Sequence, residues 1–236
     1  MRTSLSDLVL TGVILVSSLI GSNVYAGIQV SPMNISLDIQ NEYNGTISVY
    51  SNSTETQYIN VSVKQITSPG TPQQKEIPVL PGDDKGLIVS PQRFILSPMG
   101  KHIVRVLPLN VPQKESIYRV YVSSVPDDAD GSRADNKAQV IINVIWGALV
   151  YVEPEKSTIS LSYDNNTGAL INHGNRHIRV SEYGFCSSEK NCQWKPLRFS
   201  LYPEMSLNIS DKEKNKGGAL FIKYQEGQNI FTRKID

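Results

Sequence analysis

From Thr46 to Ser51 the chain reads Thr-Ile-Ser-Val-Tyr-Ser, and from Tyr58 to Ile66 it reads Tyr-Ile-Asn-Val-Ser-Val-Lys-Gln-Ile. Apolar and polar residues alternate in both, the period of a strand with one buried face and one wet face. The rhythm returns at Leu87–Val89, Arg93–Leu96, His102–Leu107 and Ile117–Val125. Gly27 to Ile39 alternates loosely and is interrupted by Pro32. Proline has no N–H for a ladder, so this segment is expected to be an edge strand that switches sheets. Turn clusters, Ser68-Pro69-Gly70-Thr71-Pro72 and Pro81-Gly82-Asp83-Asp84, punctuate the runs. A polar loop from Pro126 to Lys137 leads into a long β-rich run, Gln139 to Val152. No helical stripe is sustained anywhere, and short strands separated by turns predict an all-β chain of sandwiches.

Glu153-Pro154-Glu155-Lys156 is the expected domain boundary, because Pro154 cannot continue the preceding ladder. Strand-like runs then resume at Thr158–Tyr163, Ala169–Asn172, His177–Tyr183, Gln193–Tyr202, Ser206–Ile209, Ala219–Tyr224 and Asn229–Lys234. Residues 27–152 and 155–236 each have about the length of one Ig-like sandwich. Joined by so short a hinge, the two are expected to meet at a fixed angle, L-shaped, with a cleft between them.

The first 26 residues stand outside this pattern. Leu8 to Ile20 is uncharged and apolar, and Val24-Tyr25-Ala26 ends it with a small-x-small cleavage pattern. The run is too short for a membrane span and reads as a secretory signal peptide, residues 1–26. The mature chain is therefore expected outside the cytoplasm, with no membrane insertion after signal removal. Cys186 and Cys192 suit an oxidising compartment: they flank a polar turn, Ser187 to Asn191, between two strand-like runs, and a disulfide is the favoured reading. A metal site is disfavoured because no histidine lies near them at ligand spacing.

Charge and motifs narrow the function classes. Lys plus Arg is 23 against Asp plus Glu 22, a net charge of +1, which argues against nucleic acid as the ligand. The chain lacks a nucleophile elbow, a zinc-protease helix motif and a phosphate-cradling glycine loop, so neither catalysis nor a cofactor is expected. Of the three histidines, His102, His173 and His177, the last two are four apart but separated by a Gly-Asn turn, and they are expected on the surface and not as a metal pair. The acidic loop Asp127–Asp135 lacks the closing Glu of a calcium loop and reads as solvated chain. The informative segment is Gln139–Val152, apolar at both parities, whereas a sandwich strand normally hides one face. One reading is a central strand under loops. The other is that Val140, Ile142 and Val144 face a groove and are offered to a partner lacking a strand, main-chain hydrogen bonds giving affinity and alternate side chains specificity. Ile145 and Trp146 are expected in the chain's own core.

Val49-Tyr50-Ser51, Gln57-Tyr58-Ile59, Ser90-Pro91-Gln92, Pro98–Val106, Ile117–Tyr121, Asp135-Asn136-Lys137, the Cys186/Cys192 pair and Tyr202-Pro203-Glu204, in their order and spacing, resemble the periplasmic pilus chaperones. Within them the chain is most similar to the alternate, class 5 fimbrial chaperones of the colonisation-factor type. The resemblance implies a non-enzymatic, ATP-independent chaperone. It would bind fimbrial subunits (pilin and tip adhesin) in the periplasm, complete their open sandwich with its own strand, and deliver them to an outer-membrane usher. The alternative is a secreted fimbrial subunit or adhesin, which two complete sandwiches fit poorly. The resemblance also implies that a subunit's terminal carboxylate is held by two basic residues, one on the first strand and one late in the donor strand. Here Gly27–Gln40 contains no Lys or Arg, and Gly147-Ala148-Leu149 is uncharged. Arg119 is the leading substitute and Lys137 the second, with a carboxylate-paired structural role as the competing reading of Arg119. N-terminal sequencing of the secreted protein checks the leader: the first cycle should give Gly27, and an intact Met1 would contradict the signal-peptide assignment.

Overall fold

The computed structural model describes residues 27–80, 86–125, 143–209, 218–226 and 229–235. Ten strands build the first part of the chain: β1 (Ile28–Ser31), β2 (Asn34–Leu37), β3 (Gly45–Ser51), β4 (Gln57–Thr67), β5 (Lys75–Pro78), β6 (Leu87–Ser90), β7 (Arg93–Leu96), β8 (Lys101–Pro108), β9 (Ser116–Val125) and β10 (Ile145–Val152). They form two sheets, one ordered β1-β3-β8-β6 and one ordered β2-β10-β9-β4-β5 with β7 also on β4. The inward parity of each strand fills the space between them: Ile28, Val30, Leu37, Ile47, Val49, Val104, Val106, Val120, Val122, Ala148 and Val150 are all buried in one cluster. Each such Val, Leu or Ile side chain contributes roughly 1.5–3 kcal/mol relative to exposure.

Pro32 does what its chemistry requires. β1 pairs antiparallel with β3 in one sheet, and beyond Pro32 the chain crosses to the other sheet, where β2 pairs parallel with β10. β5 is a strand that alternation did not reveal: Lys-Glu-Ile-Pro holds one aliphatic residue besides its proline and, among the described strands, pairs only with β4, Ile66↔Glu76 and Lys64↔Pro78. A short 3₁₀ turn, Ile39–Asn41, follows β2, capped by the Asp38 carboxylate.

Seven further strands follow: β11 (Leu161–Asp164), β12 (Ala169–Asn172), β13 (Ile178–Cys186), β14 (Lys195–Leu201), β15 (Ser206–Asn208), β16 (Ala219–Glu226) and β17 (Asn229–Ile235). They make a β11-β12-β15 sheet facing a β14-β13-β16-β17 sheet, with Leu170, Ile178, Val180, Leu201 and Ile222 between them. β11 starts three residues later than expected because Asn175 Oδ1 takes the Thr158 N–H at 2.7 Å, while its amide donates to Lys156 O at 2.8 Å. Buried Asn172 is satisfied: its amide donates to Arg176 O and Leu201 O, both at 2.9 Å, and its Oδ1 accepts from Gly174 N–H at 2.8 Å. Among the described residues no helix is long and apolar enough to cross a membrane.

Cys186 and Cys192 form a disulfide, as expected. The bridged loop folds back over Gly184, where a Cβ would meet Cys192 Sγ at 2.7 Å, so only glycine fits beneath it. The bridge closes a short loop and restrains little unfolded-chain entropy. Replacing both cysteines by serine should therefore cost near the low end of about 2–4 kcal/mol in urea denaturation. Alkylation without reductant should label no thiol, and two labelled cysteines in the secreted protein would contradict the bridge.

Candidate functional site

The two edges of β10 differ. On one edge β9 pairs along the whole strand, from Ile145↔Ser123 to Val152↔Ser116. On the other, β2 begins only at Leu149↔Asn34, because the chain before Pro32 belongs to the opposite sheet. Leu149 N–H donates to Met33 O at 2.8 Å, and no described strand covers this edge from Ile145 to Ala148. Main-chain groups alternate along a strand, so Ile145 and Gly147 share the orientation of Leu149 and aim at the open edge. An uncovered edge is a template for another strand.

Side-chain parity along β10 corrects one expectation. Trp146 packs against the core, and its indole N–H donates to Ile28 O at 3.0 Å. Ile145 does not join it: it lies on the outer face and is 60% exposed. Tyr151, on that same outer parity, is buried because Tyr202 of the second sandwich packs over it together with Ile66 and Ile117. The double-sided apolarity of the run therefore has two causes, an interface near the hinge and exposed surface toward Asn143. Val144 shares the parity of Trp146 but stands beyond the core and is 41% exposed. Val140, Ile142 and Lys137 lie outside the described residues.

Arg119 lies on the face opposite the buried Tyr118 and Val120, in register between Lys64 on β4 and Leu149 on β10. Its guanidinium pairs with Glu76 Oε1 on β5, and the Tyr121 hydroxyl donates to Glu76 Oε2. Lys64 Nζ stands 3.9 Å from Oε2 and 5.1 Å over the Tyr121 ring. One carboxylate is thus ringed by a guanidinium, a phenol and an ammonium. Burial pushes the Tyr121 phenol pKa up, and its bond to Glu76 adds to the rise while Arg119 opposes it. Gly147 makes room: a Cβ there would approach Arg119 Cδ to 3.0 Å and the Tyr121 ring to 3.4 Å. Sequence alternation placed Arg119 correctly but gave no sign of Glu76, whose strand it missed. Lys64 was not singled out either, although it lies on the outer parity of the alternating run Tyr58–Ile66.

The hinge is fixed by polar groups as well. His177, expected on the surface, is in fact a contact between the sandwiches. Its ring stacks on Tyr151 at 4.7 Å, and Nδ1 donates to the fully buried Glu115 carboxylate at 2.7 Å. Arg176 reaches Glu153 at 3.3 Å, and Lys114 pairs with Glu204. Burial pushes the Glu153 carboxyl pKa up, opposed by Arg176. Beside these groups runs a cleft of about 690 Å³, whose lining includes Asp38, Glu153, Arg176, Arg179 and Phe231.

No protein-family profile matches the chain. A CFA/I fimbrial subunit of Escherichia coli is 34% identical over 183 residues, 74% of this chain and 76% of that protein. The crystal structure of the class 5 fimbriae chaperone CfaA matches 89% of this chain and 99% of its own with a TM-score of 0.73 at 28% identity. This chain belongs to the class 5 fimbrial chaperones. A chaperone from a chaperone–tip adhesin complex of CFA/I fimbriae biogenesis matches the same shares of both chains, with a TM-score of 0.72 and 29% identity. The two Ig-like sandwiches of the chaperone are those the alternating strands predicted.

The Arg119–Glu76 pair is part-exposed, 29% and 19% for the two side chains. Pairs of this kind contribute about 0–1 kcal/mol. Arg119→Ala should therefore shift the denaturation midpoint of the chaperone only slightly, and a loss of several kcal/mol would mark Arg119 as a purely structural residue.

Proposed function

We propose that this chaperone captures fimbrial subunits by donor-strand complementation. The uncovered edge of β10 at Ile145–Ala148, continuing backward into the apolar run that begins at Gln139, is the observation that carries this reading. A subunit with an incomplete sandwich adds its own edge here through main-chain hydrogen bonds, and Val140, Ile142 and Val144 fill the apolar groove where its missing strand belongs. Covering that groove also blocks premature subunit-to-subunit pairing. The subunit is then passed to an outer-membrane usher. The chaperone works in the periplasm after removal of residues 1–26, holding its subunit by binding energy alone, without ATP or catalysis. Arg119 anchors the subunit's terminal carboxylate, with Lys137 as the second basic candidate. The alternative of a secreted subunit or adhesin is not favoured, since the chain belongs to a chaperone family and builds two sandwiches of its own.

Ile142→Asp and Val144→Asp place a charge in a dry groove, which is costly without a partner. Co-expressed with the pilin of its gene cluster, either variant should fold, remain soluble and fail to retain the pilin, which is then degraded or aggregates. Undiminished co-purification would overturn the donor-strand assignment. Arg119→Ala should lose pilin while keeping its stability.

A further inference from the structure

We propose that Glu76 is an internal stand-in for the subunit's terminal carboxylate: it fills the Arg119–Lys64–Tyr121 cradle in the free chaperone and is displaced when a subunit docks. The proposal rests on the donor-strand reading of β10 and adds to it a competing group and two further residues of the anchor.

The geometry starts from where an added strand must stop. The open edge of β10 ends at Ala148, since β2 occupies it from Leu149 onward. A strand added in line with β2, and parallel to β10 as β2 is, brings its C-terminal end to this point. An antiparallel strand would bring its N-terminal ammonium instead. Arg119 and Lys64 stand in register with Leu149, and with Glu76 they leave the cradle a net positive charge. That sign admits a carboxylate and repels an ammonium, so the cradle selects the parallel direction. The Arg119 stem already lies toward the open edge: it passes over Gly147, where a Cβ would come within 3.0 Å of its Cδ.

Glu76 is suited to leaving. Among the described strands it sits on a four-residue one that pairs with β4 alone, and the neighbouring Ile77 is 49% exposed. Withdrawing it disturbs no core contact of the strand. The exchange hands the Arg119 guanidinium, one strand from β10, from one carboxylate to another, so its donors stay satisfied before and after. Binding is weakened by the competition, and release leaves no unpaired cation behind, which suits a protein that must give up its cargo.

The test is a partition experiment. Wild-type chaperone carrying the fluorescently labelled pilin of its gene cluster is mixed with free variant chaperone, and the pilin on each is measured. Removing the competing charge in Glu76→Gln, or charge and reach in Glu76→Ser, should draw pilin to the variant about fivefold, the upper end of what a part-exposed ion pair contributes. Lys64→Met should lose pilin to the wild type. With a pilin carrying two extra C-terminal residues, which carry the carboxylate past the cradle, the preference for Glu76→Gln should vanish. Even partition, or loss of pilin by folded Glu76→Gln and Glu76→Ser proteins, would overturn the stand-in role and leave Glu76 as a mere positioning partner of Arg119. Ile142→Asp separates the two ideas. If it still holds pilin, donor-strand complementation itself fails. If it loses pilin while both Glu76 variants partition evenly, only the stand-in fails.

Discussion

A β-strand has two hydrogen-bonding edges, and the main-chain groups on each must find partners. Among the described strands, β10 finds partners in full along one edge and only from Leu149 onward along the other. Most of what is distinctive about the protein follows from that half-covered strand. Pro32 diverts the N-terminal strand between sheets, so β2 reaches only half of β10. On its N-terminal side the uncovered half continues into Val140, Ile142 and Val144 of the same apolar run. A single chain thus carries an edge that no described strand completes, a template on which a partner strand can pair.

The remaining features hold that edge in place. Trp146 ties the open half of β10 to β1 in the opposite sheet through its indole N–H, so the strand stays on the sandwich although one edge is bare. Nearer the hinge, Tyr151 and Leu149 pack with Ile66, Ile117 and Tyr202 across the two sandwiches, and the buried Glu115–His177 contact adds a directional link that apolar packing lacks. The outer face of the six-stranded sheet therefore leads from an exposed apolar end, past the Glu76 cradle, into a fixed joint.

Much of this was legible along the chain, and the limits have physical reasons. Alternation gave the long strands of both sandwiches because each buries one face, and it gave Pro32 as the crossing point because proline cannot stay in a ladder. The two-sided apolarity of Gln139–Val152 flagged the right segment. It could not say that Tyr151 is covered by a second sandwich while Ile145 is open to solvent, since both read simply as apolar. β5 escaped notice because a four-residue edge strand with one charged pair and a proline carries almost no pattern. With it went Glu76, which meets Arg119 only through pairings between strands far apart in sequence. His177 was misplaced for the same reason: its carboxylate partner, Glu115, comes from the other sandwich.

The central claim is that the open edge of β10 is where a subunit strand pairs, and residue-resolved amide hydrogen exchange tests it directly. Trp146 and Ala148 point their N–H groups at β9 and should be protected in the free chaperone and in its pilin complex alike. Ile145 and Gly147 point theirs at the open edge, so they should exchange quickly in the free protein and become strongly protected once pilin is bound. Equal exchange of Ile145 and Gly147 with and without pilin would contradict strand addition at this edge.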